Sequence, residues 1–220
     1  MKNRLIIAIQ KNGRLSDQSS NLLKKSGIKF RYKSRSLLAK SSNLPVDVLF
    51  VRDDDIPSLI ANGDADIGIV GKNILFEQTK HKRNIKNILD LGFSKCRLSF
   101  AVPNNKAFKS LNNKRIATSY PNIVKAFLRK NKINSTVIKI HGSVELTPYI
   151  GISDCICDLV STGATLKENN LIEFKTVLES EAILISNKNL KSNKSKILDL
   201  IFTRMKGVIN ARESKYVMLN

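Results

Sequence analysis

Short apolar runs alternate with amphipathic segments along most of the chain, and this rhythm predicts a succession of strands and helices. Arg4 to Ile9 is rich in β-formers and predicts a first strand, ended by the basic turn Gln10-Lys11-Asn12-Gly13-Arg14. A helix through Leu22, Leu23 and Lys25 follows, with Ser16 or Asp17 as its cap and Gly27 as its stop. Ile28 to Tyr32 alternates as a second strand, and Val46 to Arg52 reads as a third. Asp53-Asp54-Asp55 opens a helix, where three acids suit the positive end; consecutive helical side chains do not converge on one ion, which favours this structural role over metal binding. Ala65 to Gly71 predicts a strand and turn in which Gly68 and Gly71 permit close approach, and Leu75 to Lys86 a helix end and loop. Strands are predicted over Ile88–Leu91, Arg97–Val102, Lys114–Ala117, Thr136–Ile140 and Cys155–Val160, with helices near Asn122–Lys130 and Val144–Ile150. Thr176 to Ile185 returns as one or two strands. Ile197, Leu198, Ile201, Phe202, Met205, Val208 and Ile209 then recur at helical spacing and form the clearest amphipathic helix. The alternation of strand and helix predicts an α/β protein with mostly parallel sheets.

One connection in this series has the makings of a binding loop. Asp158-Leu159-Val160-Ser161-Thr162-Gly163-Ala164-Thr165-Leu166 lies between the strand ending at Val160 and a helical turn or two over Lys167–Asn170. Gly163 allows the backbone to turn until several N–H groups point into one space, and Ser161, Thr162 and Thr165 add hydroxyls. Donors of this kind at the positive end of a helix favour a phosphate. The carboxylate of Asp158 suits sugar hydroxyls or a metal ion instead. A phosphate cradle beside an acid points to a sugar phosphate; a capped strand-to-helix turn with no ligand is the alternative these residues leave open.

Composition narrows the classes. At 220 residues and 42% hydrophobic, the chain suits one large α/β domain or two smaller ones. No apolar run reaches the roughly 18 residues needed to span a bilayer. Leu5 to Ile9 is cut short by Gln10-Lys11 and reads as a core strand rather than a signal peptide. Three cysteines without CxxC spacing speak against a disulfide framework and fit a reducing cytoplasm, with Cys155 and Cys157 facing one side of a strand as buried thiols. His81 and His141 show no metal-ligand spacing. The formal charge is +20, from 38 basic and 18 acidic residues. The lysines are dispersed and aromatics make up only 6%, so no nucleic-acid platform forms, while small polyanions gain from the same field.

The acid followed by Thr-Gly-x-Thr resembles the phosphoribosyl-diphosphate loop of phosphoribosyltransferases. The run from Gly142-Ser143-Val144-Glu145-Leu146-Thr147-Pro148 to Leu166 is similar to that of the ATP phosphoribosyltransferase family in particular. Gln10 to Ser16, Val51-Arg52-Asp53-Asp54-Asp55-Ile56-Pro57, Ala117-Thr118-Ser119-Tyr120-Pro121 and Ala211 to Tyr216 agree with it, so the resemblance spans nearly the whole chain. It implies two α/β lobes of the type II periplasmic-binding-protein kind around an interlobe cleft. Lobe I would be 1–95 plus 180–220, and lobe II 96–179. The motifs look like those of the long form, whose C-terminal regulatory domain would continue past Asn220; that domain is expected to be absent, and with it histidine feedback through an in-chain domain.

What the resemblance implies chemically is a cytoplasmic, Mg²⁺-dependent transfer of the 5-phosphoribosyl group from phosphoribosyl diphosphate to N1 of ATP, releasing pyrophosphate. Such a reaction needs positioning and cations more than a nucleophilic side chain, and the sequence carries no GxSxG, HExxH or Walker loop. The 5-phosphate falls to Ser161, Thr162, Gly163, Ala164 and Thr165, while Asp158 and Glu145 hold ribose hydroxyls or the metal. Lys11, Arg14, Arg35 and Arg52 pair with the triphosphate and pyrophosphate, Arg52 being grouped with Asp158 and Glu145 as catalytic. Tyr120 and the Asp66-Gly68-Gly71 turn line the nucleotide side. The expected assembly is a homodimer able to form hexamers. A non-catalytic two-lobed solute-binding protein is the alternative, and membrane or nucleic-acid partners are not expected.

Overall fold

Strand β1 (Leu5–Gln10) has both faces covered: Leu5, Ile7, Ala8 and Ile9 are all buried, as a strand between helical layers requires. It lies inside a six-stranded sheet ordered β2-β3-β1-β4-β11-β5, where β2 is Leu38–Lys40, β3 Val46–Val51, β4 Ile67–Gly71, β5 Ile85–Asp90 and β11 Ala182–Asn187. Helices α1 (Arg14–Lys25) and α6 (Ser192–Glu213) cover the face of Leu5, Ile7 and Ile9, where Leu22, Leu23, Leu198, Ile201 and Met205 join one core. Helix α2 (Ile56–Asn62) covers the Ala8 face. The structure, a computed structural model, describes residues 4–32, 36–78, 83–104, 108–190 and 192–213. Two units emerge: this sheet and its helices belong to Met1–Leu75, Lys80–Ser94 and Glu181–Asn220, and the second unit comprises Phe76–Thr79 and Lys95–Ser180.

The second unit is built on a five-stranded sheet ordered β10-β6-β9-β7-β8. Its strands are β6 (Cys96–Pro103), β7 (Arg115–Thr118), β8 (Thr136–Lys139), β9 (Cys155–Val160) and β10 (Leu171–Ser180), with α4 (Pro121–Lys130) and the short α5 (Ala164–Glu168). Alternate residues of β9 feed two cores. Cys155 and Cys157 meet Leu98, Phe100, Val124 and Leu128 on the α4 side. Ile156 and Val160 meet Ala101, Ala117, Val144, Leu166 and Leu171 on the other.

Both sheets are mixed. Parallel pairing joins β3-β1-β4 in one unit and β9-β7-β8 in the other, whereas β2, β11, β5, β6 and β10 pair antiparallel. Parallel neighbours need a long crossover; β2 reaches β3 through only residues 41–45. The alternation over Ile28–Tyr32 makes no strand. Ile28 and Phe30 are buried and Tyr32 stacks on Phe50 with ring centroids 4.2 Å apart, but Lys29 bonds to Asn43 and Ser42 of a loop. Neither Ser16 nor Asp17 caps α1, which begins earlier, behind Gly13 at φ +91°. The helix expected over Val144–Ile150 is one 3-10 turn, Val144–Leu146, and Asp53–Asp55 form another ahead of α2.

Gly68 tests the packing of the first unit. A Cβ there would meet Ile56 Cγ2 at 2.6 Å and Ile60 Cγ1 at 3.3 Å, both on α2. Gly68→Ala is expected to cost about 1–3 kcal/mol by overpacking, read as a lower urea midpoint with an unchanged slope.

Candidate active site

In an open α/β sheet, ligands gather beyond the carboxyl ends of the parallel strands, where the strand order reverses. In the second unit that edge lies beyond β9 and β7. Val160, the last residue of β9, and Leu166, two residues into α5, are both buried in one core. They pin the two ends of the turn between them, while Ser161, Thr162, Ala164 and Thr165 stay exposed. Gly163 adopts φ +82°, a left-handed conformation that a side chain would strain. The hydroxyl of Thr162 lies 3.4 Å from the N–H of Ala164. The five residues assigned to a phosphate thus form one hydroxyl-rich turn open to solvent.

Asp158 lies on the same face of β9 as Ile156 and Val160 and is half-buried. Burial pushes its carboxyl up to about 6, helped by the nearby charge of Glu145 and opposed by the N–H of Leu159, which donates at 2.9 Å. Glu145 is carried by the 3-10 turn whose neighbour Val144 is locked into the same core. The fold therefore brings Asp158 and Glu145 within electrostatic reach of each other. Glu145 also lines a cavity of ≈ 550 Å³ with Asn104, Tyr149, Asn169 and Asn170. Among the described residues no three His, Cys, Asp or Glu side chains gather as a metal cluster. The buried Cys155 thiol is pushed up to about 12 by burial and then by the charge of Asp154, and so stays protonated and inert. Asp154, two pleats from Asp158, is engaged by Arg115, whose guanidinium and backbone N–H hold it below the usual carboxylate range.

In the first unit, Lys11 follows β1 and its N–H donates to the carbonyl of Val51 at the end of β3, so Lys11 and Arg52 are neighbours. Arg14 opens α1 close by in sequence, and both arginines are exposed. This edge, which also carries the acidic turn Asp53–Asp55 after Arg52, sits where the connections from β1 and β3 leave for opposite faces of the sheet. Arg35 falls outside the described residues.

Two residues expected on the nucleotide side are engaged within the fold. Asp66 precedes β4, at the amino edge, far from the carboxyl edge where Gly71 ends that strand. Its carboxylate accepts the N–H of Ile6 at 2.8 Å and pairs with Lys194 Nζ at 2.7 Å, with both side chains largely buried. It joins β1, β4 and α6. Gly68 lies beneath α2, and its missing side chain serves the packing described above.

Tyr120 follows β7 at the start of α4 and packs against the α4-side core. Sequence reasoning missed Glu77, the last residue of α3 (Lys72–Glu77). Its carboxylate accepts the N–H groups of Asn122 at 2.9 Å and Ile123 at 3.0 Å. The first turn of α4 is thereby satisfied from within the chain, whereas the turn after β9 stays open to solvent. A separation of 45 residues hid this cap from any local pattern.

The comparisons agree in direction. Residues 52–207 match the family model described as HisG: ATP phosphoribosyltransferase. The ATP phosphoribosyltransferases of Cytophaga hutchinsonii and Bacteroides thetaiotaomicron are each 48% identical over 219 residues, covering 98% of this chain and 76% of theirs. The ATP phosphoribosyl transferase (HisG:HisZ) complex of Thermotoga maritima contains a chain that superposes with TM-score 0.80 at 29% identity, covering 94% of this chain and 99% of that one. The substrate-binding protein of an amino acid ABC transporter, with TM-score 0.61 at 14% identity over 95% of this chain and 94% of its own, shares the fold.

Because burial lifts the Asp158 carboxyl from 3.8 to about 6, the folded chain holds this proton more tightly than the unfolded chain. Stability then falls as pH rises between those two values. Asp158→Asn is expected to stabilise the unliganded protein at pH 7.5, by on the order of 1–2 kcal/mol after discounting for partial exposure. The gap in melting temperature should close as the pH is lowered toward 4; a variant that melts below the parent at pH 7.5 would contradict this.

Proposed function

The chain belongs to the ATP phosphoribosyltransferase family, and we propose that it transfers the 5-phosphoribosyl group of phosphoribosyl diphosphate to N1 of ATP, releasing pyrophosphate, as the first step of histidine biosynthesis. The observation that carries the site assignment is the turn of residues 161–165, exposed, hydroxyl-rich and pinned at both ends, next to a half-buried carboxylate.

In this reading the turn binds the 5-phosphate largely through main-chain N–H groups, with the hydroxyls of Ser161, Thr162 and Thr165 beside them. Asp158 and Glu145 accept hydrogen bonds from the ribose hydroxyls. Their position next to the bound phosphate fixes the sugar so that C1 is presented to the attacking nitrogen, and orientation of this kind supplies much of the acceleration in a two-substrate displacement. Positive charge growing at C1 benefits from the same two carboxylates, and negative charge on the departing pyrophosphate from Lys11, Arg14, Arg35 and Arg52, whose forks or ammonium suit phosphate oxygens. Tyr120 lines the nucleotide side.

The oxygen donors of Asp158 and Glu145 fit Mg²⁺, which keeps several waters and completes its shell from substrate phosphates. When bound, the ion would neutralise diphosphate charge, with Asp158 and Glu145 as its protein ligands. The solute-binding reading draws only on likeness of fold, which by itself carries no ligand.

Pyrophosphate is expected only when ATP and phosphoribosyl diphosphate are both supplied with millimolar Mg²⁺. Thr162→Ala and Asp158→Ala should each lower kcat/KM by about 10²-fold while the protein remains folded by circular dichroism. Absence of product from the unmodified chain with both substrates present would refute the reading.

A further inference from the structure

The face of the second sheet that carries Asp158 holds a polar network running across three strands. Asp158 on β9 lies opposite Ser99 on β6, and Ser99 lies opposite Thr176 on β10. Directly opposed residues of antiparallel strands share a face, so these three form a row across the sheet. Ser99 is fully buried, and its hydroxyl lies 3.2 Å from that of Thr176. Thr176 in turn reaches Glu173 at 3.4 Å.

In a regular strand Glu173 and Thr176 would point to opposite faces, because side chains alternate with a period of two. A register shift between Glu173 and Lys175 removes that parity: Glu173 pairs with Ala101 and Thr176 with Ser99, both on the Asp158 face. Bulges re-aim side chains in this manner and gather beside active sites. The carboxylate so placed meets the guanidinium of Arg97 through two bonds, from Nε at 2.6 Å and Nη2 at 2.5 Å. The remaining arm of the fork, Nη1, lies 3.5 Å from the carbonyl oxygen of Ser161, the first residue of the phosphate turn. Arg97 itself pairs across the sheet with Val160, the last residue before that turn.

We propose that Arg97, held by Glu173, is a positioning residue for the phosphate turn: it sets the direction in which the chain leaves β9 by engaging the carbonyl of Ser161, so that the following N–H groups face the 5-phosphate. The inference rests on the assignment of that turn to phosphoribosyl diphosphate. The geometry gives each partner a distinct part. Two bonds to one carboxylate fix the plane of a guanidinium as a single bond cannot. A fixed plane leaves one N–H direction free for the turn. Glu173 is held down to about 2, first of all by the Arg97 guanidinium and also by the Ser99 and Thr176 hydroxyls, so the clamp stays charged across the working pH range. Lysine cannot replace this arrangement, because an ammonium is a point charge without the fork.

The test compares steady-state constants for the unmodified chain, Arg97→Ala, Arg97→Lys and Glu173→Gln, with melting temperatures for each. The expected result is a rise in KM for phosphoribosyl diphosphate of about ten-fold or more in Arg97→Ala, and a rise in the same direction in Glu173→Gln and Arg97→Lys. KM for ATP should change less than about two-fold in all three, a selectivity that general loosening of the sheet would not produce. Calorimetric titration with phosphoribosyl diphosphate alone should show the same ranking. Constants unchanged for phosphoribosyl diphosphate, equal losses for both substrates, or full recovery by lysine would each overturn the proposal. Should Arg97→Ala fail to fold, Glu173→Gln, which keeps the shape of the side chain, carries the same expectation. An unmodified chain that turns over while the variants match it refutes only the role of Arg97. An unmodified chain that neither turns over nor binds phosphoribosyl diphosphate refutes the functional reading, and this proposal with it.

Discussion

The burial of β9 on both of its faces is the constraint from which the rest of the site follows. Cys155 and Cys157 are sealed into one core, and Ile156 and Val160 into the other. A strand gripped this way cannot slide, since a shift of one residue would exchange its two faces. Its end is therefore a fixed point from which the turn of residues 161–165 leaves, and Leu166 closes that turn by returning to the same core. The same grip draws Asp158 partly out of water. An acid in that position is costly for the fold, and the cost marks it as a group retained for something other than stability.

Two carboxylates on this one sheet face are driven in opposite directions. Asp158 is raised to about 6 because burial dominates and Glu145 adds like charge. Glu173 is lowered to about 2 because a guanidinium clamps it and two hydroxyls donate to it. The contrast sorts their work. Glu173 is spent inside the protein, on Arg97, whereas Asp158 accepts the adjacent N–H of Leu159 within its own strand and faces the side where the turn opens. The two acids are separated in this manner by environment rather than by residue type.

In the first unit, Lys11 follows β1, Arg52 follows β3 and Gly71 ends β4, and the helix after β1 starts behind a glycine in the left-handed region. Two of its acids are paired within the fold: Asp66 binds Lys194 at the amino edge, and Asp47 binds Arg4 at 2.8 Å. At the carboxyl edge the cations Lys11, Arg14 and Arg52 stand beside the acidic turn Asp53–Asp55. The overall charge of +20 adds a diffuse field that attracts small polyanions.

What the sequence determined by itself is what local order encodes. Apolar alternation located β1, β3, β4, β6, β7, β8 and β9, helical spacing located α4 and α6, and an acid followed by hydroxyls around one glycine identified the turn after β9. These are decided by steric preference and by periodicity within a few residues. Tertiary structure decided the rest. Ile28–Tyr32 alternates like a strand, but its backbone found Ser42 and Asn43 instead of a neighbouring strand. Asp66 reads like a site acid, yet its place at the amino edge and its pairing with Lys194, 128 residues away, follow only from sheet topology. Glu77 on α4 and Glu173 on Arg97 likewise bridge 45 and 76 residues. A bulge that reverses the parity of β10 leaves no mark in composition or period, because the energy that holds it comes from partners that only the folded sheet brings together.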